Sequence, residues 1–100
     1  MATYSSYADP VNILGTKPAS GQLTGVGATA VALGSSTQFC SSVLIQNSNV
    51  NTGVLYVGDS NGQYTELTTG QMVTVPCSNL GQIYVRYPSG TANVNLIYMS

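Results

Sequence analysis

The sequence predicts an all-β fold: an antiparallel β-sandwich or jelly roll of about seven strands, preceded by an extended N-terminal arm. Three observations carry this expectation. Short runs rich in β-branched and aromatic residues recur from residue 28 onward. Clusters of Gly, Asn, Ser and Pro separate them. No segment sustains apolar residues at helical spacing, and the Ala-rich stretch 28–33 is bracketed by Gly27 and Gly34, too few residues for a stable helix.

The expected strands are 28–33, 38–47, 54–58, 64–67, 72–75, 82–87 and 93–99. Gly34-Ser35-Ser36 closes the first, and turns at 49–53, 59–62, Thr69-Gly70, 76–81 and Pro88-Ser89-Gly90 close those that follow. Side chains alternate across a strand, so every second residue shares a face. Val43 with Ile45, Leu55 with Val57, Val73 with Val75, Ile83 with Val85, and Val94 with Leu96 form such pairs. Together with Phe39, Leu67 and Leu80 they are the expected core. Each buried aliphatic stabilises by roughly 1.5–3 kcal/mol relative to exposure, enough for a small domain after chain entropy is subtracted.

The opposite faces carry Tyr56, Tyr84 and Ile97, beside polar Thr74, Asn93 and Asn95. Outward tyrosines offer large contact area with only two torsions to freeze, so Tyr56, Tyr84 and Ile97 are expected at an oligomer interface. The first 27 residues differ from the rest. Tyr4, Tyr7, Val11, Ile13 and Leu14 are scattered among Asp9-Pro10, Lys17-Pro18 and Gly21, Gly25 and Gly27. The expected organisation is therefore an arm over 1–27 and a sandwich domain over 28–100. Those five apolar residues would contact a partner, with the arm lying along its sheet edge. One further irregular strand is the other reading of this stretch.

Composition narrows the chemistry. Only 5% of the 100 residues are charged, namely Asp9, Lys17, Asp59, Glu66 and Arg86, against about 25% in an ordinary soluble domain. Uncharged polar residues replace them: 12 Ser, 11 Thr, 8 Asn and 6 Gln. Two basic residues cannot neutralise a row of phosphates, so nucleic acid is not an expected partner. A basic membrane-binding patch is absent for the same reason, and no apolar run is long enough to span a bilayer. A net charge of −1 gives little protection against association. Much of the surface is thus expected to lie buried in an assembly.

Catalytic and metal-binding motifs fail one by one. The chain has no His, which removes the commonest acid/base and metal ligand. The run from Gly25 to Ala30 fits a loose dinucleotide pattern but lacks the strand–helix context that gives it meaning. Asp59-Ser60-Asn61-Gly62 begins like a calcium loop without the later ligands. Asp59 and Glu66 could approach as paired carboxylates, but no Trp platform accompanies them. Cys40 and Cys77 are either free buried thiols or one disulfide between adjacent strands. No secretion signal is visible at the N-terminus, so free thiols are expected. No catalytic residue, cofactor or metal is expected, and the chain is not expected to be an enzyme.

One resemblance goes further. ALGSSTQFCSSVLIQN places Cys40 just before an apolar strand, and NTGVLYVGDS follows at 51–60. ELTTGQMVTVP at 66–76 and SNLGQIYVRYPSG at 78–90 complete the succession. In this order the motifs resemble those of small structural proteins of tailed-bacteriophage virions. The resemblance covers residues from about 28 to 99 and leaves the first 27 outside. It implies a compact β-sandwich or jelly roll without enzymatic activity, made in the host cytoplasm and placed on the virion. The leading expectation is a capsid decoration (cement) protein. It would form a symmetric homo-oligomer, expected to be a trimer, and bind the major capsid protein or another virion protein. The alternative is a fibre- or tail-associated module that binds a carbohydrate or receptor through the polar loops 47–53 and 59–63. A self-polymerising surface-layer or pilus-like subunit is a further possibility.

Overall fold

Alternating burial along the chain builds two sheets around one core. The computed structural model describes residues 18–99. Its strands are β1 (Pro18–Val26), β2 (Val31–Ala32), β3 (Ser42–Asn47), β4 (Leu55–Asp59), β5 (Gly62–Leu67), β6 (Met72–Pro76), β7 (Tyr84–Arg86) and β8 (Ala92–Met99). A single 3₁₀ turn, Leu80–Gln82, precedes β7. Every pairing is antiparallel. One sheet has the order β1-β8-β3-β6 and the other β2-β7-β4-β5; we call them sheet A and sheet B.

The core lies between them. Val43 and Ile45 of β3, with Val94 and Leu96 of β8, meet Leu55, Val57 and Val85 of β4 and β7. Leu67, Leu80 and Ile83 close the ends. The alternation that predicted these residues therefore holds. Val26, Leu33, Tyr87 and Ala92 join the core as well.

Several expectations require correction. Eight strands form among the described residues, because Pro18–Val26 pairs along β8 from Pro18↔Met99 to Val26↔Ala92. The expected boundary at 27/28 thus cuts a strand away from its sheet. The extended run 28–33 shrinks to Val31–Ala32, and 82–87 divides into the 3₁₀ turn and β7. Phe39, expected in the core, is 68% exposed. It sits in an isolated bridge to Asn79, outside both sheets, where alternation has no inward face to assign. Val73 and Val75 face inward but stay half-buried. Tyr4, Tyr7, Val11, Ile13 and Leu14 lie outside the described residues.

The cysteines are not free. Cys40, just before β3, is disulfide-bonded to Cys77, just after β6, with Cα atoms 6.2 Å apart. Antiparallel pairing of Ser42 with Pro76 brings the two flanking residues together. Their backbones continue the ladder, since Cys40 N–H donates to Ser78 O and Cys77 N–H to Ser41 O.

Candidate assembly surfaces

Sheet A contains no charged residue in any of its four strands. Asp59, Glu66 and Arg86 all fall on sheet B. Among the described residues the charge deficit therefore falls on one side of the sandwich.

Strand register arranges the outer face of sheet A in rows. Ser20, Ile97, Leu44 and Thr74 stand side by side across β1, β8, β3 and β6. The next row is Gln22, Asn95, Gln46 and Met72. Its three amides bond to one another: Gln22 Nε2 donates to Asn95 Oδ1 at 2.7 Å, and Asn95 Nδ2 to Gln46 Oε1 at 3.1 Å. Gln46 Nε2 then donates to Gly70 O at 3.3 Å. Polar groups already paired in this way lose little when a partner displaces water, whereas unpaired ones would be costly to bury. Ile97 and Met72 are 48% and 54% exposed beside this ladder. A shallow depression of about 320 Å³, lined by Leu44, Met72 and Ile97 among others, lies on this face.

The outer face of sheet B has different chemistry. Tyr56 stands between Arg86 on β7 and Glu66 on β5. The Arg86 guanidinium lies 4.4 Å from the Tyr56 ring centroid, a cation–π distance, and donates to Gln63 O at 3.1 Å. Tyr84 stands opposite Gly58 on the same sheet. Tyr56 and Tyr84 thus share a face, while Ile97 belongs to the opposite side of the sandwich. The three residues expected at one interface are not brought together. Leu44 and Met72, which the sequence reading left unassigned, accompany Ile97 instead. Their signal was available: alternation places Leu44 on the non-core face of a strand whose inward residues are Val43 and Ile45.

The polar loops are partly turned inward, while Asn49, Thr52, Ser60 and Asn61 stay exposed. Asn47, Ser48 and Asn51 are buried. Asp59 Oδ1 accepts the backbone N–H groups of Asn61 at 2.9 Å and Gly62 at 3.2 Å, a turn that closes the β4–β5 hairpin. Gly25 lies within the end of β1, and Gly27 leads into a loop and then β2, not into the helix that a dinucleotide site requires. Among the described residues no group of three or more potential metal-ligating side chains occurs.

A third surface is an opening in the sandwich. Inward-facing Thr65 is exposed, and inward-facing Val73 and Val75 are only half-buried. Between β6 and the β4–β5 hairpin lies a cleft of about 300 Å³ lined by these residues with Val57 and Ile83, and Asp59 stands at its rim.

No family model matches the chain, and no curated protein matches it. Among solved structures it is similar in fold to a protein of Bacillus endospore appendages, described as a novel family of disulfide-linked pili. The likeness covers 83% of this chain and 85% of that one at a TM-score of 0.54, with 11% sequence identity.

Proposed function

We propose that this chain is a non-enzymatic structural subunit that self-associates and coats or builds a larger particle through the outer face of sheet A. The charge-free sheet carries the proposal. A surface of Leu44, Met72 and Ile97 beside a self-satisfied amide ladder can be dehydrated at low cost, and it lacks the charges that keep ordinary sheets apart.

The strand order supports the finer reading of the fold. Sheets ordered β1-β8-β3-β6 and β2-β7-β4-β5 interleave as two Greek keys, which is how a jelly roll is wound. We therefore read the fold as an eight-stranded jelly roll. The sequence resemblance to tailed-phage virion proteins supports reading the particle as a capsid and the chain as a decoration protein on it. Adhesion is the mechanism: each contact is modest, and repetition over a lattice of identical sites multiplies its effect.

A second reading, a filament subunit, is favoured by the fold likeness to a pilus protein. That family is described as disulfide-linked, whereas both cysteines of this chain are bonded to each other. Contacts between copies of this chain would then be non-covalent.

Sizing the purified chain over a concentration series, followed by electron microscopy, tests the proposal. Closed oligomers that bind capsids support decoration, and filaments support the second reading. A chain that stays monomeric at every concentration and binds no particle would end both.

A further inference from the structure

Resting on that assembly reading, we propose that the open cleft between β6 and the β4–β5 hairpin receives residues 11–14 of a neighbouring copy as an added strand. The inner wall is incomplete on this side only in the sense that counts for packing: Thr65, Val73 and Val75 turn toward the core yet remain in contact with solvent. A closed sandwich buries such residues, and each aliphatic left half-exposed forgoes part of its burial free energy.

Among the described residues the edge beside the cleft is also free. There β6 pairs only with β3, in a ladder where Asn47 N–H donates to Gln71 O and Cys77 N–H to Ser41 O. In an antiparallel pair the bonded residues alternate, so residues 71, 73, 75 and 77 face β3. Met72 and Thr74 consequently turn N–H and C=O outward, and Pro76 turns out a carbonyl without an N–H. Nothing charged guards this edge. A strand added here would bond those groups and direct alternate side chains into the cleft.

Val11, Ile13 and Leu14 suit that position. They are aliphatic, and residues 10–16 carry no charge, which matches a cleft whose walls are uncharged apart from Asp59 at the rim. Geometry favours delivery from a neighbour. Pro18, Met99, Ser42 and Pro76 form one row across the end of sheet A, so the chain leaves β1 three strand spacings from β6. That is about 14 Å at about 4.8 Å per strand. In its own copy the segment would use about four residues, Leu14 to Lys17, merely to cross the ends of β8 and β3. Only the residues before Leu14 would then remain for the edge. From a neighbour, the whole run from Val11 to Leu14 can lie along β6.

The test uses the full chain carrying Ile13→p-benzoylphenylalanine, photolysed in solution and mapped by mass spectrometry. The expected products are covalent dimers crosslinked between position 13 of one chain and the peptide carrying Thr65 or Val73–Val75 of another. Crosslinks to the same peptides within one chain overturn the neighbour assignment. Crosslinks elsewhere, or none, overturn the cleft as the docking site. Thr65→Lys serves as the second variant, because Thr65 is exposed and its replacement leaves the buried core in place. It should keep the far-ultraviolet circular dichroism of the parent, abolish the interchain crosslink and weaken self-association about tenfold or more. Unchanged crosslinking in that variant also overturns the proposal. A chain that assembles through sheet A but crosslinks elsewhere defeats this inference alone, whereas a chain that never self-associates defeats both.

Discussion

Asn51 Nδ2 donates to Asn47 Oδ1 at 2.7 Å inside the molecule, where Asn47 has no exposed surface. The pair joins both sheets. Asn47 ends β3 of sheet A, and its Nδ2 donates to Leu67 O of β5 at 2.8 Å and to Gly53 O at 3.0 Å. Asn51 reaches across to β8, donating to Asn93 O at 2.7 Å and accepting from Asn93 N–H at 3.1 Å. One end of the sandwich is therefore held by amides instead of aliphatics. Buried amides are tolerated only when their partners are supplied, and here they are.

Replacing Asn47 by Ala removes two donors and an acceptor at once. It leaves Leu67 O, Gly53 O and Asn51 Nδ2 without that partner in a buried site. Unsatisfied buried polar groups cost about 1–3 kcal/mol each, with partial relief where water enters. The expected loss is about 3 kcal/mol of unfolding free energy, read from urea denaturation. A loss below about 0.5 kcal/mol, the usual range for a surface change, would show that the amide network is not holding the fold.

The Cys40–Cys77 bond closes a loop across a sequence separation of 37 that contains β3, β4, β5 and β6. Chain-entropy reasoning for a loop of that length gives up to about 4 kcal/mol of stabilisation. The paired substitution Cys40→Ser with Cys77→Ser should lower the urea midpoint accordingly. A reducing agent should shift the parent to the same value and leave the variant unmoved. Equal stability of the parent with and without reductant would mean that the bond contributes nothing.

Gly58 is required by a backbone approach. The register of β4 against β5 shifts between Val57 and Gly58. A Cβ at position 58 would run into the Gly62 carbonyl oxygen and stand 2.7 Å from Gln63 Cα. Both obstacles are main chain, so the hairpin itself must move. Gly58→Ala should cost about 1–3 kcal/mol, the range for overpacking, and should speed amide exchange in 59–63 more than in β8. Parent-like exchange throughout the hairpin would contradict this account.

Much of the fold was legible because alternating aliphatics mark β3, β4, β7 and β8. The exceptions share a physical cause. β1 reads PASGQLTGV, with few aliphatics to show a face, and its ladder is broken by a register shift between Leu23 and Val26 where Gly25 takes φ 69°. Its strand character comes from pairing with β8, which no local pattern encodes. Asn47 and Asn51 looked like exposed loop residues because amides usually are, and only the tertiary structure supplies their partners. The cysteine pairing depended on strand register, whereas the expectation of free thiols rested on the absence of a signal at the N-terminus. The outward placement of Ile97 was legible from alternation. Its separation from Tyr56 and Tyr84 required knowing which strands share a sheet.

That separation gives the last prediction. If sheet A is the assembly face, a charge at its centre should prevent association without unfolding the chain. Ile97 is 48% exposed, so Ile97→Asp should cost about 1–2 kcal/mol of unfolding free energy, from lost half-burial and the poor strand propensity of Asp, and leave the chain folded. In an assembled state the same carboxylate would be buried against a neighbour without a partner charge on sheet A to meet it. A loss of about 2 kcal/mol at a central contact corresponds to about thirtyfold weaker self-association. Tyr56→Ser with Tyr84→Ser, on the far face, should leave association within about twofold of the parent. Sedimentation of both variants beside the parent decides between the faces. If the tyrosine variant dissociates and Ile97→Asp does not, the assembly face is sheet B, and the charge-free surface of sheet A needs another explanation.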